Sequence, residues 1–436
     1  MPASRAVLAT YILGWLFLPQ AGYDLGGVPD YNKPAAIGIG ALVGAIVFSP
    51  SPLFTLRWRW FDAPIVIFCL WPLATHLFNG HGFMTGMNWL VEHAFLWGVP
   101  YLMGRAYCRT HDQLRELAFA IFFGGLIYAP FCWFEIRFSP KLHLTLYGFF
   151  QHSFAQHVRY NGFRPIVFMQ HGIMVGVWMA CSTLVGIWLW RTKVFTKLFG
   201  IRAVWWIGLM LVTTVYCKAG SGMSALLLGL GAFFVCRRGL PTLSLTLLAL
   251  VPMAYLGSRA SKIWEGESLA VFVQSIDLER GGSLAARMRQ EGLYVDKAYQ
   301  SPIFGFGGGD FIPRDEEGKQ LVRGNDGFWI ITLGMYGFVS LISVFTALTL
   351  PALLVAYREM TGPRIESNVL VPLAVITTLF EIDCLPNAMI NPLYLLCAGA
   401  VSTGVSLPRF NISDQYKVKL TSMESTSPTR GSIPAS

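Results

Sequence analysis

The sequence predicts an all-α, polytopic transmembrane protein with about twelve helices and one long external loop late in the chain. The first observation is composition: 54% of the 436 residues are hydrophobic and only 13% are charged. Soluble domains carry about 25% charged residues, so a soluble globular core is excluded. The second observation is that apolar runs, such as 35–48 and 223–236, recur along almost the whole chain. A spanning helix needs roughly 17–25 mostly apolar residues, and interfacial residues complete the shorter runs.

Twelve apolar segments are predicted to be helices. In chain order they cover about 6–18, 35–48, 61–78, 88–104, 114–135, 166–190, 204–217, 222–236, 241–257, 327–357, 368–382 and 388–407. An even number of spans puts both termini on one side of the membrane. The first segment is interpreted as a retained helix, because no small-residue cleavage site precedes "LPQAGYDLGG".

Basic residues are concentrated in alternate short loops, which predicts the orientation. The basic set is Arg57 and Arg59; Arg105, Arg109 and Arg115; Arg191, Lys193, Lys197 and Arg202; Arg237 and Arg238; and Arg358 and Arg364. Among the alternate loops, the first holds Lys33 and residues 79–88 hold no Lys, Arg, Asp or Glu. Cytoplasmic loops are enriched in Lys and Arg, so both termini are predicted to be cytoplasmic. The same bias explains the net charge of +9, and no nucleic-acid partner is expected.

These segments divide the chain into four regions. They are residues 1–257, with helices one to nine and a basic external loop at 136–165; the long external loop 258–324; residues 325–407, with helices ten to twelve; and the polar tail 408–436, predicted to be disordered and cytoplasmic. Long loops translocate regardless of charge, so loop 258–324 does not contradict the orientation. A loop of this length is usually functional, which places the expected chemistry outside.

The glycine-rich stretch "SPIFGFGGGDF" (301–311) does not predict a nucleotide site. Asp310 stands where the third glycine of a dinucleotide fingerprint belongs, and no Gly-Lys-Ser/Thr ending of a P-loop follows. We interpret the stretch as a turn that shapes the external loop. The eight cysteines form no C-x-x-C pair and are interpreted as small buried hydrophobes, so neither a metal site nor a cofactor is expected.

External cations are the first candidate functional residues. They are Arg164, Lys218, Arg287 and Arg289. Taken singly, each could contact lipid phosphates or extend toward the membrane surface. Together they indicate an anion held at the outer face, since guanidinium groups bind phosphate oxygens bidentately and lysine adds a point charge.

Helical periodicity and buried acids add further candidates. Leu284, Met288, Tyr294 and Ala298 fall on one apolar stripe, which predicts a helix in the long loop that also carries the two arginines. Ionisable groups at membrane depth are costly and therefore often functional. Four acids qualify: Glu92, beside His93, as a proton relay or an interhelical bond; Glu135, near Arg137, as a structural pair; and Glu381 and Asp383, at the lining of a cavity.

Polar residues beside two helix starts leave alternatives open. Asn325 or Asp326 could cap the helix that follows the long loop, or Asp326 could face an external cavity as a general base or acceptor anchor. His171 follows Arg164 and is either a hydrogen-bonded core residue or part of the site. Glu291 and Asn325 are reserve candidates together with His171.

The motifs of this chain and their order resemble those of the O-antigen ligase and O-antigen polymerase superfamily. The resemblance rests on Arg287, then "SPIFGFGGGDF", then "GNDGFW" before "LGMYG" with Gly334 and Gly337; upstream, "NGFRPIVFMQHG" and "CKAGSGMSALLLGLG" are similar to the family's arginine segment and its "SRG-x-x-L" hairpin. It covers most of the chain by architecture and about 60 residues by motif. The family's ligases carry a histidine before the last asparagine, and here Gly324 occupies that position, which favours the polymerase branch.

The resemblance implies a function and a set of roles. It implies metal-independent glycosyl transfer from an undecaprenyl-pyrophosphate-linked glycan on the periplasmic side of a bacterial inner membrane. Arg287 and Asp326 would be catalytic, and Arg164, Lys218, Arg287 and Arg289 would bind the pyrophosphate. Partners would be the lipid bilayer and a chain-length regulator or export protein. A transporter of polysaccharide or lipid-linked sugar, which would use helices broken at the midplane, is the alternative, and a non-catalytic export scaffold is a third.

Overall fold

The structure, a computed structural model, describes residues 1–159, 161–276, 278–322, 326–362 and 368–408. Six helical segments in these ranges are long and apolar enough to cross a membrane: Trp60–Phe78, His111–Phe138, Gly172–Arg191, Gly220–Arg237, Pro241–Ala260 and Phe328–Met360. Shorter apolar helices lie between them. The helical fold class with candidate membrane spans is therefore confirmed, and the number of twelve spans stays a prediction.

The helices follow the predicted apolar segments closely. In chain order they are α1 (Ala3–Phe17), α2 (Lys33–Phe48), α3 (Ser51–Phe54), α4 (Ala63–Phe78), α5 (Phe83–His93), α6 (Val99–Tyr107), α7 (His111–Phe138), α8 (Leu142–Tyr147), α9 (Gly172–Arg191), α10 (Ala203–Tyr216), α11 (Gly220–Arg237), α12 (Pro241–Ala260), α13 (Glu267–Ile276), α14 (Leu278–Ala298), α15 (Phe328–Met360), α16 (Leu370–Asp383) and α17 (Pro392–Gly404). One difference is at predicted helix 88–104, which is α5 and α6 joined by a π-helical turn at Ala94–Gly98.

The described residues also form three short hairpins, besides single 3₁₀ turns at Trp60–Asp62, Phe154–His157 and Gly309–Phe311. Strands β1 (Gly22–Tyr23) and β2 (Tyr31–Asn32), β3 (Val158–Arg159) and β4 (Gly162–Phe163), and β5 (Lys197–Leu198) and β6 (Ile201–Arg202) pair antiparallel. Each lies in a connection between helices. Seven of the eight cysteines are buried and all eight are free thiols, in agreement with their interpretation as small hydrophobes.

Contacts between loops show which connections lie at the same end of the helical bundle. At one end, called the loop end and defined by residues 161–171, 217–221 and 384–391, Ser221 accepts a hydrogen bond from Asn387 at 3.0 Å. At the opposite end, Arg105 pairs with the buried Asp62 at 2.8 Å and also donates to Thr403. The assignment of the basic loops to one side of a membrane stays a prediction, and so does the choice of the end that faces the cytoplasm.

Helix α15 is interrupted at Gly337, which has φ of 74° and ψ of −174°. A Cβ atom at this position would lie 2.2 Å from the carbonyl oxygen of Ile303, in the glycine-rich turn. Only glycine adopts this backbone and tolerates this approach without strain. The sequence did not predict the interruption, because glycine is common in membrane helices and a regular helix tolerates it.

The glycine-rich turn fills the interruption with backbone hydrogen bonds. The bonds join Phe306 N to Gly334 O (3.0 Å), Gly307 N to Met335 O (2.8 Å) and Phe338 N to Pro302 O (2.7 Å). The N–H groups of Phe306 and Gly307, which a phosphate would need in a nucleotide loop, are therefore already bonded to α15. The stretch is a turn, as predicted, and its backbone is part of the helix packing.

Glu135 fastens the basic loop 136–165 to the bundle. Its carboxylate accepts the backbone N–H groups of Leu142 at 3.1 Å, Ile166 at 2.8 Å and Val167 at 2.7 Å. The predicted structural role is thus correct, but Arg137 is not the partner: its guanidinium lies over the ring of Phe138. Buried backbone N–H groups need an acceptor, and the buried carboxylate of Glu135 supplies it for both ends of the loop.

Helices α13 and α14 form a hairpin within the long loop. Met288, Tyr294 and Ala298 of α14 are buried, so the predicted apolar stripe is confirmed, with Leu284 half-buried at its start. The helices pack closely at Gly281, where a Cβ atom would lie 2.2 Å from Cα of Gln274. The apolar stripe packs α14 against the bundle, and the polar side chains of α14 remain near the loop end.

Candidate functional site

A cavity of about 290 Å³ opens at the loop end between α11, α12, α13, α14 and α16. Its polar lining consists of Ser221, Ser224, Tyr255, Arg287, Glu291 and Asp383; leucines, Ala225, Met288, Ile382 and Pro386 form the rest. Two of the predicted site residues, Arg287 and Glu291, and the predicted cavity-lining Asp383 therefore share one cavity. A mostly apolar pocket with a few converging polar groups is the usual form of a ligand site.

Arg287 and Asp326 meet beside this cavity. Nη2 of Arg287 lies 3.4 Å from Oδ2 of Asp326, and both side chains retain much solvent exposure, at 43% and 74%. Asp326 does not cap α15: the N-cap is Gly327, without a side-chain cap, and the N–H of Phe328 is donated to the carbonyl of Cys384 at 3.1 Å. The capping alternative is therefore wrong for Asp326, and Asn325 lies outside the described residues.

Arg289 does not share the position of Arg287. It lies two residues further along α14, where helical geometry points the side chain to a different face. The side chain is exposed, and Arg287 is the arginine of this pair that lines the cavity. The predicted grouping of Arg289 with the other cations is not supported by its placement.

Glu291 is buried one helical turn after Arg287 and is held by residues of α12. Its Oε2 accepts from the hydroxyl of Tyr255 at 2.8 Å and from Arg259 at 3.2 Å. Burial raises the pKa of Glu291, and the hydrogen bond from Tyr255 and the charge of Arg259 counteract part of that rise. The hydrogen bonds from Tyr255 and Arg259 to Glu291 fall on Oε2, and the indole of Trp329 also lies beside this carboxylate.

Tyr255 and Arg259 were missed by sequence reasoning. Both lie in α12, one turn apart, and their partner is more than thirty residues away in α14. Arg259 also donates to the carbonyl of Met288 at 2.7 Å. A lysine or arginine at a helix end is common in membrane proteins, so the residue type gave no signal. Arg259 differs from an ordinary helix-end arginine because it is buried against α14 of the hairpin.

Asp383 and Asn387 connect the cavity to the start of α11. Asn387 donates through Nδ2 to Oδ1 of Asp383 at 2.7 Å and to Ser221 at 3.0 Å. Glu381, predicted with Asp383 as a cavity residue, is instead fully buried and accepts from Thr349 at 2.5 Å. Helical geometry places residues 381 and 383 on different faces of α16, so only the latter reaches the cavity.

Arg164 and His171 lie at the other side of α11, at the start of α9. The Arg164 side chain is 2% exposed and packs on Gly172, where a Cβ atom would lie 2.6 Å from Nε. Burial, with the charge of Arg159, lowers the pKa of Arg164 to about 10. Within the described part of the chain, Arg164 Nε has no hydrogen-bond partner. A buried guanidinium beside a positive helix start is a favourable place for an anion.

His171 caps α9 by accepting the N–H of Ile173 on Nδ1 at 3.2 Å. Burial and the neighbouring charge of Arg164 lower its pKa to about 3, so the ring is neutral at physiological pH. The alternative of a hydrogen-bonded structural histidine is therefore supported. Its cap still positions the helix start against Arg164.

Lys218 links the two groups of residues. It lies in the turn between α10 and α11 with a left-handed φ of 50°, and Nζ donates to the carbonyl of Arg159 at 3.1 Å. Ser221, three residues later, lines the cavity. Arg164, Lys218 and Arg287 are thus distributed around the start of α11, at the same end of the bundle.

The remaining sequence candidates lie elsewhere. Glu92 is half-buried in α5, and the ring of His93 packs on Phe68 and Tyr336 at centroid distances of 5.2 and 5.0 Å. Neither lines the cavity. In the described ranges no group of three or more His, Cys, Asp and Glu side chains is arranged to hold a metal ion.

Comparisons with protein-family models, with curated proteins and with solved structures give no match to this chain.

Proposed function

We propose that the protein is a membrane glycosyltransferase that uses a lipid-pyrophosphate-linked glycan, with the cavity beside Arg287 as its active site. The observation that carries the proposal is the position of Arg287, whose side chain lines an otherwise mostly apolar cavity and also reaches Asp326. A lipid pyrophosphate has an apolar chain and a strongly anionic head. The cavity offers leucine side chains to the first and a guanidinium to the second.

In the proposed reaction, an acceptor hydroxyl attacks the anomeric carbon of the donor sugar. The new glycosidic C–O bond forms, the C–O bond to pyrophosphate breaks, and the hydroxyl proton passes to a carboxylate, assigned to Asp326. Negative charge grows on the departing pyrophosphate, so Arg287, with Arg164 and Lys218 around α11, stabilises the transition state more than the ground state. This mechanism needs no metal ion.

The finer assignments follow from the sequence. The absence of a histidine before Asn325 favours a polymerase of exopolysaccharide or O-antigen units over a ligase. The proposed location is a bacterial inner membrane, crossed twelve times, with both termini in the cytoplasm and loop 258–324 in the periplasm. The donor is an undecaprenyl-pyrophosphate-linked glycan, and a chain-length regulator or an export protein is the proposed protein partner.

A transporter of lipid-linked sugar is the second candidate, and the interruption of α15 is the observation that favours it. Transporters often bind substrate at helices that are broken near the membrane midplane. In this chain, however, the carbonyls freed at Gly334 and Met335 accept hydrogen bonds from the glycine-rich turn. Backbone groups that are already bonded offer little to a substrate, so the transferase is preferred. An export scaffold is the third candidate, with no structural observation in its favour.

Two variants expressed in a strain that lacks the native gene test the proposal. Arg287→Ala is expected to abolish polymer while undecaprenyl-linked repeat units accumulate outside, because the leaving group loses its cation. Arg289→Ala is the matched control on the exposed face of the same helix, and polymer is expected to remain. Normal polymer from normally expressed Arg287→Ala protein would overturn the enzymatic assignment. Failure of lipid-linked units to reach the outer face would indicate a transporter.

A further inference from the structure

Helix α13 carries an apolar face that no part of the described chain covers. Phe272 is 62% exposed and Leu269, one turn earlier on the same side, is 39% exposed. Ala270 is buried, and the close approach of Gln274 to Gly281 shows that the other side of the helix packs on α14. Phe272 therefore points away from the hairpin. Leaving such a side chain in water forfeits the favourable free energy of burying its apolar surface.

This face continues the exposed apolar surfaces of α12 and α11, two candidate membrane spans. Residues 261–266 alone separate α13 from α12, a candidate membrane span, and Ile263 in that connection is 84% exposed. Leu247 and Leu250 on the outer side of α12 are also exposed, as expected for side chains that contact lipid. At the cavity, Leu269 shares the lining with Leu228 of α11, which is itself exposed to the outside of the bundle.

The charges near α13 restrict how it can bind. The segment Glu267–Ile276 contains no lysine or arginine, and Glu265 and Glu267 precede or begin the helix. Interfacial helices that bind through anionic headgroups have basic polar faces. A favourable contact of α13 with a bilayer must therefore come from apolar area. The covalent connection to α12 holds the helix at the membrane surface, so a small apolar face suffices.

We propose that α13 lies in the interfacial layer of the bilayer at the loop end, with Phe272 and Leu269 at the level of the upper acyl chains. In this position α13 forms the bilayer-side border of the cavity, so the cavity opens toward lipid between Leu228 and Leu269. The partner is the lipid bilayer itself. The proposal depends on the chain being embedded in a membrane and is independent of the reaction assigned to the cavity.

Depth-dependent fluorescence quenching of the full-length protein in lipid nanodiscs tests the proposal. Phe272→Cys and the matched control Glu267→Cys, on a different side of the same helix, are labelled with an environment-sensitive fluorophore. Seven native cysteines are buried, and labelling of the unsubstituted chain measures the background from Cys236. At position 272, we expect blue-shifted emission and several-fold stronger quenching by lipids with a nitroxide high on the acyl chain than at position 267, at low and high salt alike.

Three results would overturn the proposal. Equal quenching of both positions by aqueous iodide would show that the face is in water. Quenching at position 272 that disappears at high salt would show that headgroup charge holds the helix. Efficient disulfide formation between two Phe272→Cys chains, with little quenching by lipid, would show that a second copy covers the face.

Discussion

Nη2 of Arg287 lies 3.4 Å from Oδ2 of Asp326, although 39 positions separate the two residues in sequence. Both side chains are well exposed, and exposed ion pairs contribute only about 0–1 kcal/mol to folding. The pair is therefore dispensable for stability and easily opened by a competing anion. Loss of activity on substitution of either residue can then be attributed to the site.

Asp326→Asn and Glu291→Gln distinguish the proposed proton acceptor from its buried neighbour. Asp326→Asn is expected to leave the melting temperature unchanged and to lower polymer synthesis about 10²–10⁴-fold, the usual contribution of a general base. Glu291→Gln is expected to lower the melting temperature, because Arg259 then loses its buried partner at a cost of about 3–5 kcal/mol. Polymer synthesis and thermal unfolding in detergent are measured for each variant. Full activity of Asp326→Asn would transfer the role of base to another residue.

Lys218→Gly is expected to raise stability and lower activity together. A lysine at φ of 50° is strained, by roughly 1–2 kcal/mol for the left-handed conformation. Glycine removes this strain, which outweighs the loss of the exposed hydrogen bond from Nζ to the carbonyl of Arg159, and it also removes a proposed pyrophosphate-binding cation. A higher melting temperature with less polymer is therefore expected. Lys218→Asn, which tolerates this backbone, separates loss of charge from backbone flexibility. A variant that is more stable and fully active would show that the lysine has no part in the reaction.

Gly337→Ala is expected to destabilise the protein by about 1–3 kcal/mol or more, because it strains the backbone and brings Cβ against the carbonyl of Ile303. Gly231→Ala is the control, since a Cβ atom there meets no atom within 4 Å. In a regular helix that change is expected to be neutral or to stabilise by up to about 1 kcal/mol. Thermal unfolding of both variants measures the difference. Equal melting temperatures would show that the interruption of α15 is absent in the membrane.

Loop 136–165 is expected to lose stability in acid. Burial is the main reason that the pKa of His143 and of His157 is lowered in the folded protein. In the unfolded loop a histidine has a pKa of about 6.5, so the unfolded state gains protons first as the pH falls. The stability from the two neutral rings is therefore present above about pH 6.5 and declines below it.

Hydrogen exchange between pH 7.5 and pH 5, corrected for intrinsic rates, measures this effect. We expect protection of residues 136–159 to fall in acid. Loop 258–324 contains no histidine and is the internal control, with a smaller change expected. His157→Gln should flatten the pH dependence in part. A pH-independent protection of the native loop would contradict the assigned burial of the two rings.

The sequence was sufficient for features that depend on local composition. Apolar segments located the helices, and the stripe of Met288, Tyr294 and Ala298 located the buried face of α14. The family resemblance assigned Arg287 and Asp326 to one reaction, but it did not predict their contact, because no local pattern relates two residues in different elements. Helical phase then separated Arg289 from Arg287 and Glu381 from Asp383, a distinction available from the sequence once the packing direction is known.

Features created by packing between distant segments could not be predicted. The ion pair of Arg259 with Glu291 exists because the α13–α14 hairpin folds back on α12. The interruption at Gly337 exists because the carbonyl of Ile303 occupies the space of a side chain. Both look ordinary in sequence: an arginine at a helix end and a glycine in an apolar run.

The interruption of α15 also sets an order of assembly. Unbonded backbone groups are costly in a lipid environment, so the segment around Gly337 cannot settle until residues 302–307 reach it. Those residues precede α15 in the chain and are therefore synthesised first, so they are available to form hydrogen bonds with α15. Thr75, in the earlier helix α4, donates its hydroxyl to the carbonyl of Phe304 at 2.8 Å and holds the turn from the other side. The long loop therefore supplies the hydrogen-bond partners that the interrupted helix after it needs.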